Sequence, residues 1–311
     1  MNAGDRLAVV DVGSNSLRLL LCEGVGPDGA RGERDSTVIG LRRGAADDGA
    51  IAPDALGRLD ETLAGYAGRV AAFAPARTVL VATSAVRDAP NRGEVAALVE
   101  GRLGAPMRLL SGVEEAEVSF AGARLALDGD ERVVVVDDGG GSTELVSGGP
   151  DGPDDAVSLQ LGAVRQTERH LHHDPPRPEE LAALQDEARA LVEPALGAVA
   201  GPLPVVGVAG TATSLAAIDL GGYDRARVHR HRLSLSRVDE LAARLAAMTT
   251  EERRAVPGLD PARAGVIVAG TLILAEAARA AGAAGLMISE TDLLDGVALA
   301  AAGSPMVSLR L

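Results

Sequence analysis

At 311 residues the chain is long for a single core and comfortable for two lobes, with the apolar and charged fractions of a globular protein. Its formal charge of −14 argues against a general nucleic-acid binder, and the absence of lysine excludes a Walker-type phosphate loop. Tyr66, Phe73, Phe120 and Tyr223 are the only aromatic residues, which leaves little to stack on a nucleobase; Cys22 is the single cysteine, so no disulfide or thiolate metal cluster forms.

The elements follow in chain order. Leu7 to Val10 and Leu17 to Leu21 are apolar runs joined by Asp11-Val12-Gly13-Ser14-Asn15-Ser16, the pattern of a β-hairpin, with Cys22 expected in the core just beyond. Helices are predicted over Pro53 to Ala72 and Glu94 to Leu103, and strands over Thr78 to Ala82 and Met107 to Leu110. Arg132 to Val136 is a second buried strand of the opening kind. It runs into Asp137, then Gly139-Gly140-Gly141-Ser142-Thr143-Glu144 and the strand Leu145 to Ser147, so the first hairpin pattern returns 126 positions later. Gly148 to Asp155 reads as a loop. Then come a helix over Glu179 to Ala200, a strand at Val205 to Val208, and a third glycine-and-hydroxyl turn, Ala209-Gly210-Thr211-Ala212-Thr213, opening a helix. Helices at Ser236 to Met248 and Pro261 to Ala281, a strand at Leu286 to Ser289 and a helix at Asp292 to Ala302 close the chain. Strands alternating with helices predict an α/β protein, and the repeat predicts two lobes of related topology, each offering a hairpin loop to a shared cleft. The start of the chain does not resemble a signal peptide, and the longest apolar stretch, Ala264 to Ala275, is too short for a bilayer, so a cytoplasmic protein is expected.

Phosphate needs many donors that do not crowd it. Glycine lets backbone N–H groups approach, and hydroxyls and amides add more. Gly13, Ser14, Asn15 and Ser16 fit, as do Gly140, Gly141, Ser142 and Thr143, with Gly210 and Thr211 in the third turn. One such loop alone would read as an ordinary hairpin; two, each entered from an Asp at the end of a buried strand, point to phosphate. Asp11, Asp137 and Glu144 are oxygen ligands of the kind Mg²⁺ or Mn²⁺ takes beside substrate phosphates, although an Asp at such a place also caps its own turn. Ser111 and Glu114 have the spacing of a capping box, which leaves Glu115 as a candidate general base. Arg87 could clamp a phosphoryl oxygen, or pair with Asp88 or Glu94 at the surface.

Taken together these segments resemble the exopolyphosphatase and guanosine pentaphosphate phosphohydrolase (Ppx/GppA) family. The matching wording is Asp11 to Ser16 with Arg18-Leu19, Ala82 to Ala85 with Arg87 and Asn91, Ser111-Gly112 with Glu114-Glu115-Ala116, and Asp137 to Leu145. It continues in Leu161 to Arg165 with Thr167-Glu168, Gly210 to Thr213, and Arg263 with Val266-Ile267 and Ala269-Gly270. The resemblance covers essentially the whole chain. It implies two ribonuclease-H-like lobes of the actin-like ATPase superfamily flanking a central cleft, expected at residues 1–122 and 123–311, with the closing helix able to pack on the first. It also implies a divalent cation and removal of terminal phosphate from inorganic polyphosphate, or of the 5′ γ-phosphate from pppGpp, with a homodimer as the expected assembly. By motif position Glu115 matches the catalytic base, Arg87 a phosphate-contacting arginine, and Asp137 and Glu144 the metal-linked carboxylates.

The chain also departs from the family wording. Asp138 stands where the family usually has Ile; on a strand it should point away from Asp137, towards solvent, a basic partner or the core. Gly265 replaces a frequent Asp, and Ser289 to Gly296 lacks the usual Gly-Leu-Arg-Glu-Gly. Exopolyphosphatase is the leading expectation. A pppGpp hydrolase is the first alternative, and a catalytically weak protein that binds polyphosphate or an alarmone is the second.

Overall fold

A computed structural model describes residues 6–26, 29–44, 49–197, 202–304, 306, 307 and 309. It divides into two compact units, one of residues 1–125 with 293–311 and one of residues 126–292. The division falls after Leu125, not after residue 122, and the closing helix belongs to the first unit.

The first unit opens with β1 (Leu7–Val12), β2 (Ser16–Gly26) and β3 (Gly29–Val38). Then follow α1 (Pro53–Phe73), β4 (Arg77–Ala82), α2 (Ser84–Asp88), α3 (Arg92–Leu103), β5 (Met107–Leu109) and α4 (Gly112–Arg124). The sheet order is β3-β2-β1-β4-β5, antiparallel across β1 to β3 and parallel from β1 to β5. Because side chains alternate along a strand, Ala8, Val10 and Val12 of β1 enter one core with Leu59 and Leu63 of α1 and Val95 and Val99 of α3. Leu7 and Val9 enter another with Cys22 and Val118. Burial pushes the Cys22 thiol up to about 11, as befits a core residue.

Strand β3 escapes sequence reading. It is an edge strand that turns Arg31, Glu33 and Asp35 towards water and Arg34 inward to Asp295, a composition that blunts pairing with other chains but hides the strand's alternation. Gly32 is required where it packs on β2, since a Cβ there would stand 1.8 Å from the Leu21 carbonyl oxygen.

The second unit repeats the plan. It contains β6 (Val133–Asp138), β7 (Thr143–Gly149), β8 (Gly152–Leu159), α5 (Ala163–His170), α6 (Pro178–Leu196), β9 (Val205–Val208), α7 (Ala209–Asp219), α8 (Arg225–Val228) and β10 (Arg232–Ser234). These are followed by α9 (Leu235–Ala246), α10 (Thr250–Arg254), a 3₁₀ turn at Pro261–Arg263, α11 (Ile267–Ala280) and β11 (Gly285–Ile288). Its sheet runs β10-β11-β9-β6-β7-β8, so β8-β7-β6-β9-β11 reproduces the order of the first sheet. Both are ribonuclease-H-like, which bears out the expected fold class. Gly148 to Asp155, expected as a loop, is a hairpin instead: its turn residues are the tip between β7 and β8, and β8 is an edge strand with exposed Asp154 and Asp155. The helix expected over Pro261 to Ala281 is two pieces, because Asp260 caps a short turn by accepting from the Ala262 N–H (3.0 Å) before α11 begins at Ile267. The predicted end of the preceding long helix, Ala200, lies outside the described residues.

Glu180, in the first turn of α6, accepts hydrogen bonds from His173 Nδ1 (2.8 Å), Arg177 N (2.9 Å) and His172 N (3.0 Å). His173 above all, then the Arg177 amide, hold its carboxyl down to about 2. A carboxylate so lowered stabilises the fold above its ordinary value of 4.5, and that contribution is lost as pH falls from there towards 2. Glu180→Gln should therefore flatten the acid limb of melting temperature against pH; a limb identical to wild type contradicts this.

The last helix, α12 (Leu293–Ala301), packs on α4 in the first unit. Gly296 permits the approach, since a Cβ there would lie 1.9 Å from the Val118 carbonyl oxygen. The neighbouring Asp295, fully buried, accepts from the Ala30 N–H (2.8 Å) and from Arg34 Nη2 (2.5 Å). Within the altered wording Asp295 thus ties α12 to β3, while Gly296, the retained glycine, lets α12 approach α4. Among the described residues no helix is long and apolar enough to cross a membrane.

Candidate active site

In the first unit the β1–β2 hairpin places Asp11 directly opposite Arg18 and Val12 opposite Leu17. The turn is closed by Gly13 N–H donating to the Ser16 carbonyl (3.0 Å). The outer carbonyls are tied back: Ile39 N and Gly40 N donate to Asn15 O, and Arg42 N to Ser14 O. Among the described residues the amides of Ser14 and Asn15 meet no protein acceptor. Asn15 is 7% exposed, and its Oδ1 is buried without a hydrogen-bond partner. A buried amide left unmatched is costly, and a half-turn of its side chain would present a donor to an anion. Ser14 Oγ lies 3.1 Å from Ser84 Oγ at the start of α2, tying the loop to the next strand-helix turn.

Arg87, at the end of α2, donates from Nη1 to the Leu110 carbonyl (2.8 Å) and to Glu115 Oε2 (3.0 Å). Asp88 forms a longer ion pair with Arg87 Nε at 3.8 Å, as spacing allowed, but the hydrogen-bonded partner is Glu115. Glu115 is only 7% exposed. Its place in α4 is fixed by the predicted capping box, in which Glu114 Oε2 accepts from Ser111 N (2.8 Å) and Ser111 Oγ from Glu114 N (3.2 Å). The Ser111 amide, with Arg108, holds the Glu114 carboxyl below its ordinary value, so Glu114 is committed to the cap. The two residues expected to do chemistry are therefore in contact in one unit.

In the second unit Gly139 N–H donates to the Ser142 carbonyl (3.0 Å), as Gly13 does to Ser16. The start of α5 closes over the loop: Ala163 N donates to Gly139 O, and Val164 N and Arg165 N donate to Gly140 O. Arg165 Nε adds a bond to Gly141 O (2.7 Å). With its carbonyls bound inward, the loop turns its other side outward; among the described residues the amides of Gly140, Gly141 and Ser142 meet no protein acceptor. A row of such N–H groups is an anion cradle. Gly162 makes the closure possible, since a Cβ there would sit 2.6 Å from backbone atoms of Gly140 and Gly141. Gly162→Ala should push backbone against backbone and cost about 1–3 kcal/mol in urea unfolding. A variant as stable as wild type contradicts this packing.

The cross-strand partners differ between the units in an informative way. Asp11 Oδ2 accepts from Arg18 Nε (2.8 Å) and Nη2 (2.7 Å). At the matching place in the second hairpin Asp137 is directly opposite Glu144, two carboxylates with 6% and 1% exposure. Like charges facing each other across a ladder are destabilising. Ser158 Oγ donates to Glu144 Oε1 (2.7 Å). The donor set, two buried carboxylates beside a phosphate cradle, fits a hard divalent cation that completes its shell with water and phosphate oxygens. Among the described residues no group of three or more His, Cys, Asp or Glu forms a cage of its own. Asp11, expected as a metal ligand, holds Arg18 through its Oδ2.

Asp138 points away from Asp137, onto the face where Val134 and Val136 meet the core. It is buried, and its oxygens accept from Thr143 Oγ1 (3.2 Å) and Thr211 Oγ1 (2.7 Å). Burial pushes its carboxyl up to about 7, opposed by those two hydroxyls. The single Thr143 hydroxyl proton is shared between Asp138 and the Leu161 carbonyl, so the Thr143 and Thr211 hydroxyls, expected on substrate, both make inner bonds. Gly210 lies under Arg263: a Cβ there would stand 1.8 Å from Arg263 Nη1. Ala209, just before it, holds a left-handed φ of 63°, a strained turn of the kind found at functional loops.

Sequence reading placed Arg18, Ser84, Gly162, Arg165 and Arg263 in the matching wording but gave them no role in these sites. Arg18 was within reach, because closing the Asp11–Ser16 turn fixes which residues stand opposite.

The Ppx/GppA phosphatase family matches residues 33–304. Exopolyphosphatase 2 of Mycobacterium tuberculosis is 39% identical over 96% of this chain and 99% of its own length. Exopolyphosphatase 1 of Mycobacterium leprae is 33% identical over 88% of this chain and 83% of its own. Among solved structures, an exopolyphosphatase-like protein superposes with a TM-score of 0.88 at 32% identity, covering 96% of this chain and 98% of that one. The Aquifex aeolicus Ppx/GppA family member gives 0.79 at 27%, covering 96% and 97%.

Proposed function

The chain belongs to the Ppx/GppA phosphatase family, and from that premise we propose that it is an exopolyphosphatase, a phosphoric anhydride hydrolase that removes terminal phosphate from inorganic polyphosphate. The observation that carries the site reading is the Arg87–Glu115 contact, a buried carboxylate oriented by a guanidinium (3.0 Å) on a helix start that Ser111 and Glu114 hold in place.

Glu115 takes the proton of a water whose oxygen attacks the terminal phosphorus, and the anhydride oxygen leaves with the shortened chain. Arg87 keeps its bond to the Leu110 carbonyl, which fixes its plane, and its remaining N–H groups stabilise charge on the phosphoryl oxygens. The amides of Ser14 and Asn15 in the first unit, and of Gly140, Gly141 and Ser142 in the second, each supply neutral donors to phosphate. Asp137 and Glu144 would hold Mg²⁺ or Mn²⁺, which when bound neutralises phosphate charge. The same reading places the enzyme in the cytoplasm, with a homodimer as its assembly.

The test is phosphate release from tripolyphosphate, long-chain polyphosphate and pppGpp, compared side by side with Mg²⁺. Faster release from the inorganic chains is expected. Preference for pppGpp would make the protein a pentaphosphate phosphohydrolase, and release from none would make it a binding protein.

A further inference from the structure

In the first unit the last pair of the hairpin ladder is apolar, Val12 opposite Leu17. In the second the matching pair is Asp138 opposite Thr143. Placing a carboxylate in a core of valine and leucine is costly unless its hydrogen bonds serve a purpose there. Its bonds lead to one place. The parallel pairing of β6 with β9 ends at Asp137 opposite Val208. Just beyond that end Asp138 Oδ1 is bound by Thr143 and Oδ2 by Thr211, so the carboxylate links the Gly139–Ser142 loop to the turn that opens α7. Gly270 of α11 leaves the room: a Cβ there would stand 2.4 Å from Thr211 Oγ1 and 2.6 Å from Asp138 Oδ2. The first unit makes the corresponding link with neutral hydroxyls, Ser14 to Ser84 (3.1 Å).

We propose that Asp138 is a positioning residue that fixes the spacing between the Gly139–Ser142 loop and the Gly210–Thr211 turn, and so sets the affinity of the second unit for adjacent phosphates of one chain. The proposal rests on the phosphate-binding reading of these loops. Thr211 lies next to Gly210, over which the Arg263 guanidinium is packed, so the spacing that Asp138 holds is also the spacing between the loop's N–H row and that cation. A polyphosphate chain presents successive anions at a fixed interval, and two anchors held apart at a set distance bind it better than two that drift. The carboxylate makes its hydrogen bonds to Thr143 and Thr211, and its charge also acts on Asp137 and Arg263 nearby.

The experiment uses the full chain with tripolyphosphate, steady-state kinetics for KM and kcat and calorimetry for direct binding. Asp138→Ala removes both links; it is expected to raise KM and Kd about tenfold with kcat within about threefold, the pattern of lost binding common to ground and transition states. Asp138→Asn keeps them, since its oxygen accepts from Thr211 and its NH₂ donates to the Thr143 oxygen while the Thr143 proton stays on the Leu161 carbonyl, and should stay within about twofold of wild type in both. Thr211→Val should weaken binding as Asp138→Ala does, and the double variant should be no worse than either alone. An unchanged KM and Kd in a folded Asp138→Ala protein overturns the proposal. So do equal losses in the Ala and Asn variants, or additive losses in the double variant. If Asp138→Ala fails to fold, Thr211→Val decides by the same criterion. Tripolyphosphate bound but not hydrolysed by the wild type would sink the hydrolase reading and leave the Kd comparison intact; no binding at all overturns both.

Discussion

Glu115→Gln is expected to fold like the wild type and to lose phosphate release by about 10²- to 10⁴-fold, the range set by removing a positioned general base. The substitution is nearly isosteric. Its amide oxygen can still accept from Arg87 Nη1, Arg87 keeps the Leu110 carbonyl, and the cap between Ser111 and Glu114 does not involve position 115. What goes is the negative charge that accepts a proton. The loss should therefore fall on kcat, with tripolyphosphate binding by calorimetry within about threefold of wild type. A folded Glu115→Gln enzyme with near-normal turnover removes Glu115 from the chemistry.

Asp137→Asn is expected to move stability and activity in opposite directions. In metal-free protein it relieves the repulsion between two carboxylates paired across β6 and β7, so the fold should gain about 0.2–1 kcal/mol. With Mg²⁺ it removes one of two oxygen ligands, and phosphate release should fall on the order of a hundredfold or more. Wild type should melt higher with Mg²⁺ than with chelator, and the variant should show much less of that difference. A variant that melts lower without metal, or that keeps full Mg²⁺-dependent activity, contradicts the assignment of Asp137 and Glu144.

Both hairpins were legible because their signal is local. A buried strand, an acid, a glycine-and-hydroxyl turn and a returning strand all fall within a dozen residues. The capping box at Ser111 and Glu114 was legible for the same reason, as was the alternation that turns Asp138 away from Asp137. The contact of Arg87 with Glu115 was not, because the two stand 28 positions apart on different helices and only the sheet brings them together. Nor were β3 and β8, whose outward residues are charged because edge strands meet water. Thr143 and Thr211 looked like phosphate ligands by composition; a buried acid on the neighbouring strand claims their hydroxyls, and pattern alone gives no measure of that competition. The partner of Asp11 was hidden for a different reason. The repeat with Asp137 suggested the same task, whereas the residue across the ladder is Arg18 in one hairpin and Glu144 in the other.

The most direct measurement of the central claim is hydrolysis of long-chain polyphosphate in ¹⁸O-enriched water with Mg²⁺, followed by phosphorus NMR and mass spectrometry. Attack of water on the terminal phosphorus predicts orthophosphate from the first time point, each released molecule carrying one solvent oxygen, with chains shortening from their ends. Intermediate chain lengths appearing before orthophosphate, or solvent oxygen appearing in the residual chain and not in the released phosphate, would contradict it.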